Sequence, residues 1–214
     1  MLILLLVLTF PTMALAQKAR PPHRKVPTPT GVFPSELVYA LTTGNSIISF
    51  NSAAPGAILS TVAITGLQAG ENVLGIDFRP LTRQLYALGS TSRLYTINLT
   101  TGVATVVGLQ FSPGLDGTAF GFDFNPTVDR IRITSNTDQN FRLNPVNALI
   151  AGIDIPIAYA AGDPNVGFDP SAVGAAYTNN FAGATTTTLY DIDSNQDTLV
   201  IQNPPNAGTL NTVG

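Results

Sequence analysis

From Leu37 onward, runs of about five to seven residues rich in Ile, Val, Leu, Tyr, Phe and Thr alternate with clusters of Gly, Pro, Asn, Ser and Asp. Runs of that length and make-up, bounded by turn formers, predict short β-strands. No window sustains an apolar period of 3.6 residues with caps at its ends, so helix is expected to be nearly absent.

The runs recur. Gly75-Ile76-Asp77-Phe78-Arg79-Pro80 returns 46 residues later as Gly121-Phe122-Asp123-Phe124-Asn125-Pro126. At the same offset Gln84–Leu88 meets Arg130–Thr134, and Arg93–Asn98 meets Gln139–Asn144. Upstream, Leu37–Leu41 and Ser46–Asn51 fit the same template at an offset of 47. Downstream, Gly174-Ala175-Ala176-Tyr177 takes the Gly-x-Asp-Phe place without its Asp, followed by Leu189–Ile192 and Thr198–Asn203. Four short strands recurring about every 46 residues predict an all-β, β-propeller-like array, with repeats near 37–66, 72–110, 120–160 and 172–214.

Stacked blades bury both faces of most strands, which suits a chain that is 44% hydrophobic and 11% charged. The first repeat lacks the Gly-x-Asp-Phe strand, so fifteen strands are expected. A closed propeller usually completes its first blade from the other end of the chain. Here the expectation is an open array or a truncated copy of something longer. Asn51, Asn98, Asn144 and Asn203 end the third strand of each repeat, with Gly56, Gly102 and Gly208 following in three of them. They read as hairpin-turn markers, and the sequon Asn98-Leu99-Thr100 falls in the same turn.

The N-terminus has another character. Leu2–Leu8 is an unbroken apolar run, and Ala14-Leu15-Ala16 precedes Gln17, the pattern of a secretory signal peptide cut after Ala16. Pro11 interrupts the run well short of the roughly 20 apolar residues a spanning helix needs. Residues 17–35 hold five prolines and four basic residues and read as an extended tether. A secreted, periplasmic or cell-surface location follows.

The body beyond residue 35 sets six arginines and no lysine against thirteen acidic residues, a balance of −7, which argues against nucleic acid. Without Cys there is no disulfide framework, thiolate metal site or cysteine nucleophile. The single histidine, His23, lies in the tether, away from any triad in the body. The strand-entry glycines make no phosphate loop, since no helix follows them.

The segments from Asn72 to Pro80, Gln84 to Gly89, Phe120 to Pro126, Val128 to Arg132, Gln139 to Pro145, Val173 to Asn179 and Gln202 to Asn206 resemble a bacterial exported family catalogued as domain of unknown function 4394. The resemblance covers about residues 37–214 and implies an exported, repeat-built β domain, with no activity or ligand to carry over. It also implies members that continue past Thr212-Val213-Gly214.

Three constellations could carry chemistry. The third repeat departs from its template by placing Arg132 where the others hold Tyr, Asn140 where they hold Ile or Leu, and Arg142 where they hold Ser, Thr or Ile. Asp123 lies on the neighbouring strand, and Arg130 alternates to the same side as Arg132. A buried Arg needs a partner, either Asp123 or Asp129 or an anionic ligand. The patch Asp123, Arg130, Arg132, Asn140 and Arg142 is therefore the candidate ligand site, for a small molecule, glycan or protein, or else a structural network.

Asp77 and Asp123 are repeat-equivalent and could act as acid and base on a sugar or lactone, or serve as turn ties. Asp191-Ile192-Asp193-Ser194-Asn195-Gln196-Asp197 imitates a calcium loop but has Gln196 in place of its glycine. No cofactor is expected, calcium being the alternative. The expected function is a non-catalytic binding or structural module, with a propeller-type hydrolase as the rival and a fragment without independent function as a third reading.

Overall fold

The structure is a computed structural model that describes residues 35–213. The expected signal peptide and nearly all of the tether lie outside the described residues. Four small sheets follow one another along the chain. The first holds β1 (Leu37–Leu41), β2 (Ser46–Asn51) and β3 (Ala54–Ala63). The second holds β4 (Val73–Phe78), β5 (Leu85–Gly89), β6 (Arg93–Ile97) and β7 (Ala104–Val107). The third holds β8 (Phe120–Asn125), β9 (Arg130–Ser135), β10 (Asn140–Leu143) and β11 (Ile150–Ile153).

The fourth holds β13 (Ala172–Tyr177), β14 (Leu189–Asp193), β15 (Thr198–Gln202) and β16 (Thr209–Thr212), with β12 (Ala158–Tyr159) on its outer edge. Neighbouring strands are antiparallel, apart from the parallel pair β12–β16. The helical content of the described residues is one 3₁₀ turn, Pro205–Ala207. This is the four-blade, propeller-like arrangement that the repeat predicts.

Among the described residues sixteen strands are present where fifteen were expected. The extra one, β12, ends the third repeat yet pairs with the fourth blade, Ala158 opposite Thr209 and Tyr159 opposite Leu210. Ile157 and Tyr159 bury against Ala172, Val200 and Leu210 there, so a short crossing segment covers what would be a bare outer edge. The turn reading of the asparagines holds in part. Asn51, Asn98 and Asn144 each accept a backbone N–H two residues on, and Gly102 and Gly208 adopt positive φ. Gly56, however, lies inside β3 and not in the turn.

Consecutive blades bury their facing sides against each other. Between the first two blades the core gathers Leu41, Ile47, Ile76, Phe78, Leu85, Tyr95 and Ile97. Between the second and third it gathers Tyr86, Leu88 and Leu94 against Phe122, Phe124, Ile131, Ile133 and Phe141. The glycine opening each Gly-x-Asp-Phe unit lies against the next blade with no room for a Cβ. A Cβ on Gly75 would sit 2.8 Å from the Phe122 Cβ, and one on Gly121 would sit 2.6 Å from the Ala175 Cβ and 2.9 Å from the Ala175 nitrogen. Gly121→Ala must therefore push β13 off β8. A loss of about 1–3 kcal/mol in urea unfolding is expected, and an unchanged midpoint would show that the blades are not in contact there.

Candidate functional site

The interface between the third and fourth blades breaks the apolar rule. At template positions where the second blade presents Tyr86, Leu88, Leu94 and Thr96, the third presents Arg132, Thr134, Asn140 and Arg142. Cross-strand pairing sets Asp123 beside Arg132 and Arg132 beside Arg142, so strand alternation aims all three at the fourth blade. The opposing face carries Tyr177, Asp191 and Gln202, with Asn206 from the 3₁₀ turn.

Arg132 is 1% exposed and its guanidinium is spent on protein acceptors. Nη1 donates to Asn140 Oδ1 (2.6 Å) and to Asp154 Oδ2 (2.5 Å), Nη2 donates to Asn206 Oδ1 (2.7 Å), and Nε reaches the Tyr177 hydroxyl at 3.4 Å. Arg142 Nε and Nη2 donate to the two carboxylate oxygens of the same Asp154, at 2.8 and 2.7 Å, and the side chain keeps 29% of its surface in solvent. The fork geometry of guanidinium on carboxylate makes these charge-assisted bonds strong and directional.

The buried arginine's partner is thus Asp154, where Asp123 or Asp129 was expected. Asp129 lies elsewhere, paired with Arg79 across the second and third blades at 2.5 Å. Arg130 does not join the patch, since its Nη1 donates to the Val128 and Asp129 carbonyls. Structure therefore brings together four of the five candidate residues, Asp123, Arg132, Asn140 and Arg142.

Asp77 and Asp123 do not open onto solvent. Asp77 is 1% exposed; its Oδ1 accepts the N–H of Phe78 and its Oδ2 the N–H of Phe124 on the next inner strand. Asp123 Oδ2 likewise accepts the N–H of Tyr177, one blade further on. The template position that carries the acid is therefore a staple between successive inner strands. Burial raises both carboxyls well above the ordinary range, and the charge of Asp77 raises Asp123 further. Burial therefore favours the protonated form of each of these acids over that of a free carboxyl.

Of the loop resembling a calcium site, Asp191 points into the interface, where its Oδ1 accepts a 3.4 Å bond from Thr134. Asp193 accepts backbone N–H groups of Ser171 and Asn195 and the hydroxyl of Tyr159. Gln84, Thr96, Ile97, Asn98, Val103 and Thr105 line a cavity of about 250 Å³ on the second blade, and none of the candidate residues reaches it.

A family model described as Domain of unknown function (DUF4394) matches residues 46–214. The chain belongs to the DUF4394 family. No curated protein matches it. The DUF4394 match runs from the start of β2 through β16, and so takes in both aspartate staples and the whole polar interface.

Sequence reasoning missed Asp154 and Glu71. Asp154 stands 46 residues after Gly108, just past the fourth strand, so it too is a departure of the third repeat from its template. Glu71 precedes β4 and carries no repeat signal. It is 4% exposed and receives the Tyr95 and Thr91 hydroxyls with the N–H groups of Thr91 and Gln68. Burial pushes its carboxyl up, but those four donors outweigh it and hold Glu71 below the ordinary value.

Proposed function

We propose that this protein is a non-catalytic binding or structural module, exported from the cytoplasm, in which the inter-blade acids and arginines hold a scaffold together. The observation that carries the reading is the use made of Asp77 and Asp123. Both carboxylates are buried and both accept backbone N–H groups of the following inner strand, so neither is placed to meet a substrate. A general acid or base must come within hydrogen-bond reach of a reacting atom, and raised carboxyl pKa values alone do not provide that. Export rests on the Leu2–Ala16 pattern, and no helix of the described residues is long and apolar enough to cross a membrane.

The test is a comparison of the natural chain with Asp77→Asn and Asp123→Asn on chromogenic glycosides and lactones. No turnover above buffer is expected from any of the three, while both variants unfold earlier than the parent. Turnover by the parent that disappears in a variant still folded at the assay temperature would establish the hydrolase instead. Within the module, Arg142 is the patch residue with a solvent-facing edge, and an anionic ligand there must compete with Asp154 for its fork.

A further inference from the structure

The first blade is built to have an inner strand, and among the described residues it has none. By the repeat, β1 corresponds to β5, β9 and β14, the second strands of the other blades. Each of those is flanked on its axial side by a Gly-x-Asp-Phe-type strand, β4, β8 or β13. β1 pairs with β2 alone. Its sequence is nonetheless that of an interior strand. Val38-Tyr39-Ala40-Leu41 repeats Leu85-Tyr86-Ala87-Leu88, which is no more than 4% exposed at any position. Val38, Tyr39 and Ala40 remain only half-buried, and no residue of β1 is charged. Natural edges carry charges, prolines or bulges against pairing, and β1 has none of these.

A second observation comes from the neighbouring blade. The N–H that follows the template aspartate goes to the preceding blade's aspartate in two cases, Phe124 to Asp77 and Tyr177 to Asp123. Phe78 holds the same place in the second blade. With no preceding inner strand among the described residues, its N–H turns back onto its own Asp77 Oδ1 at 2.7 Å.

We infer that the axial edge of β1 is a strand-acceptor site for an extended segment of the pattern small–apolar–Asp–aromatic, added antiparallel to β1, with the segment's aspartate taking the Phe78 N–H. The register follows from the second blade, where Ile76, Asp77 and Phe78 face Ala87, Tyr86 and Leu85. The incoming apolar residue, Asp and aromatic residue therefore face Ala40, Tyr39 and Val38. Main-chain bonds to β1 supply general affinity, and the acid with its flanking aromatic ring supplies selection. The occupant's chemistry is written into the chain twice, as β4 and β8, and β13 keeps the pattern with Ala176 in place of the acid. The inference deepens the reading of the protein as a binding module and rests on it. The two remain separable, because hydrolytic turnover would remove that reading while leaving a strand-binding edge measurable.

The experiment uses the full chain and a synthetic peptide with the sequence of residues 72–80, with a scrambled peptide and a peptide carrying Asp77→Ala as controls. Binding is followed by calorimetry, and the amides of β1 by hydrogen exchange. The natural peptide is expected to bind and to slow exchange at β1. The Ala peptide should bind about tenfold more weakly or worse, as for loss of a hydrogen bond to a charged group. No binding of the natural peptide at millimolar concentration, or equal binding of the scrambled one, overturns the inference. Equal binding of the Ala peptide overturns the part assigned to Phe78. Protection, in the free protein, of the β1 amides that point away from β2 overturns it as well, because the edge is then already covered.

Discussion

Arg132→Ala lowers the unfolding midpoint by roughly 6–20 °C, the largest drop expected of any single change to the polar interface. Removing one partner of a buried ion pair costs about 3–5 kcal/mol, because what it leaves behind is unpaired in a poorly solvated place. Here the residue left behind is more than Asp154, which keeps Arg142. Asn140 Oδ1, Asn206 Oδ1 and the Tyr177 hydroxyl all lose a donor at once, and the side chain removed is among the largest of those fully buried. An arginine with four protein contacts acts first on stability. Arg142→Ala makes the internal comparison, since its side chain is 29% exposed and Asp154 retains Arg132. Its effect should stay near 1 kcal/mol. Thermal melts of the two variants check the order, and equal effects would mean that the interface does not discriminate between its arginines.

The second large effect is on pH. Burial pushes the Asp191 carboxyl from 3.8 up to about 7, against the pull of the Arg132 charge and the Thr134 hydroxyl. Asp191 Oδ2 and Gln202 Oε1 find no hydrogen-bond donor among the described residues, so Arg132 and Thr134 offset only part of the cost of ionising the acid. A carboxyl whose pKa is raised by folding binds its proton more tightly in the native state than in the unfolded one. Its contribution is complete below 3.8 and is lost as pH rises through about 7. The full span is about 4 kcal/mol at most.

The protein is accordingly expected to melt later at pH 5 than at pH 8.5. Asp77 and Asp123, raised in the same direction, add to the slope. Asp191→Asn supplies a neutral side chain with a donor of its own and should flatten the curve by raising the alkaline midpoint. Circular-dichroism melts across that range decide the matter. A variant curve parallel to the parent's would show that Asp191 is already ionised in the fold.

The architecture was legible because each blade is a copy. Strand type, strand order and the interior faces follow from a two-residue alternation read off four aligned segments, and β4–β7 and β8–β11 fall where that alignment puts them. β12 was not legible, since Ala158-Tyr159 has no counterpart in the template and pairs in parallel with a strand some fifty residues away. The polar interface was visible as a departure of the third repeat, and alternation placed Asp123, Arg132 and Arg142 on one face. The partner was not visible. Asp154 lies one residue past β11, where the repeat offers no acid; its N–H donates to the Asn140 carbonyl, so the β10–β11 pairing continues and sets its carboxylate beside Arg132 and Arg142. Asp77 and Asp123 looked like a possible acid–base pair because equivalent positions circle one axis. What the sequence does not display is that a main-chain N–H of the next blade waits at each of them.

Those forward-reaching carboxylates have a consequence for assembly. Asp77 engages a residue 47 positions later and Asp123 one 54 positions later. In both cases the acceptor belongs to the earlier-synthesised blade and the donor to the later one. A polypeptide emerging from the ribosome N-terminus first therefore carries each docking carboxylate before the segment that will seek it has been made. In each case the acceptor is in place before its donor is made, and the bonds give the row of blades a direction along the chain.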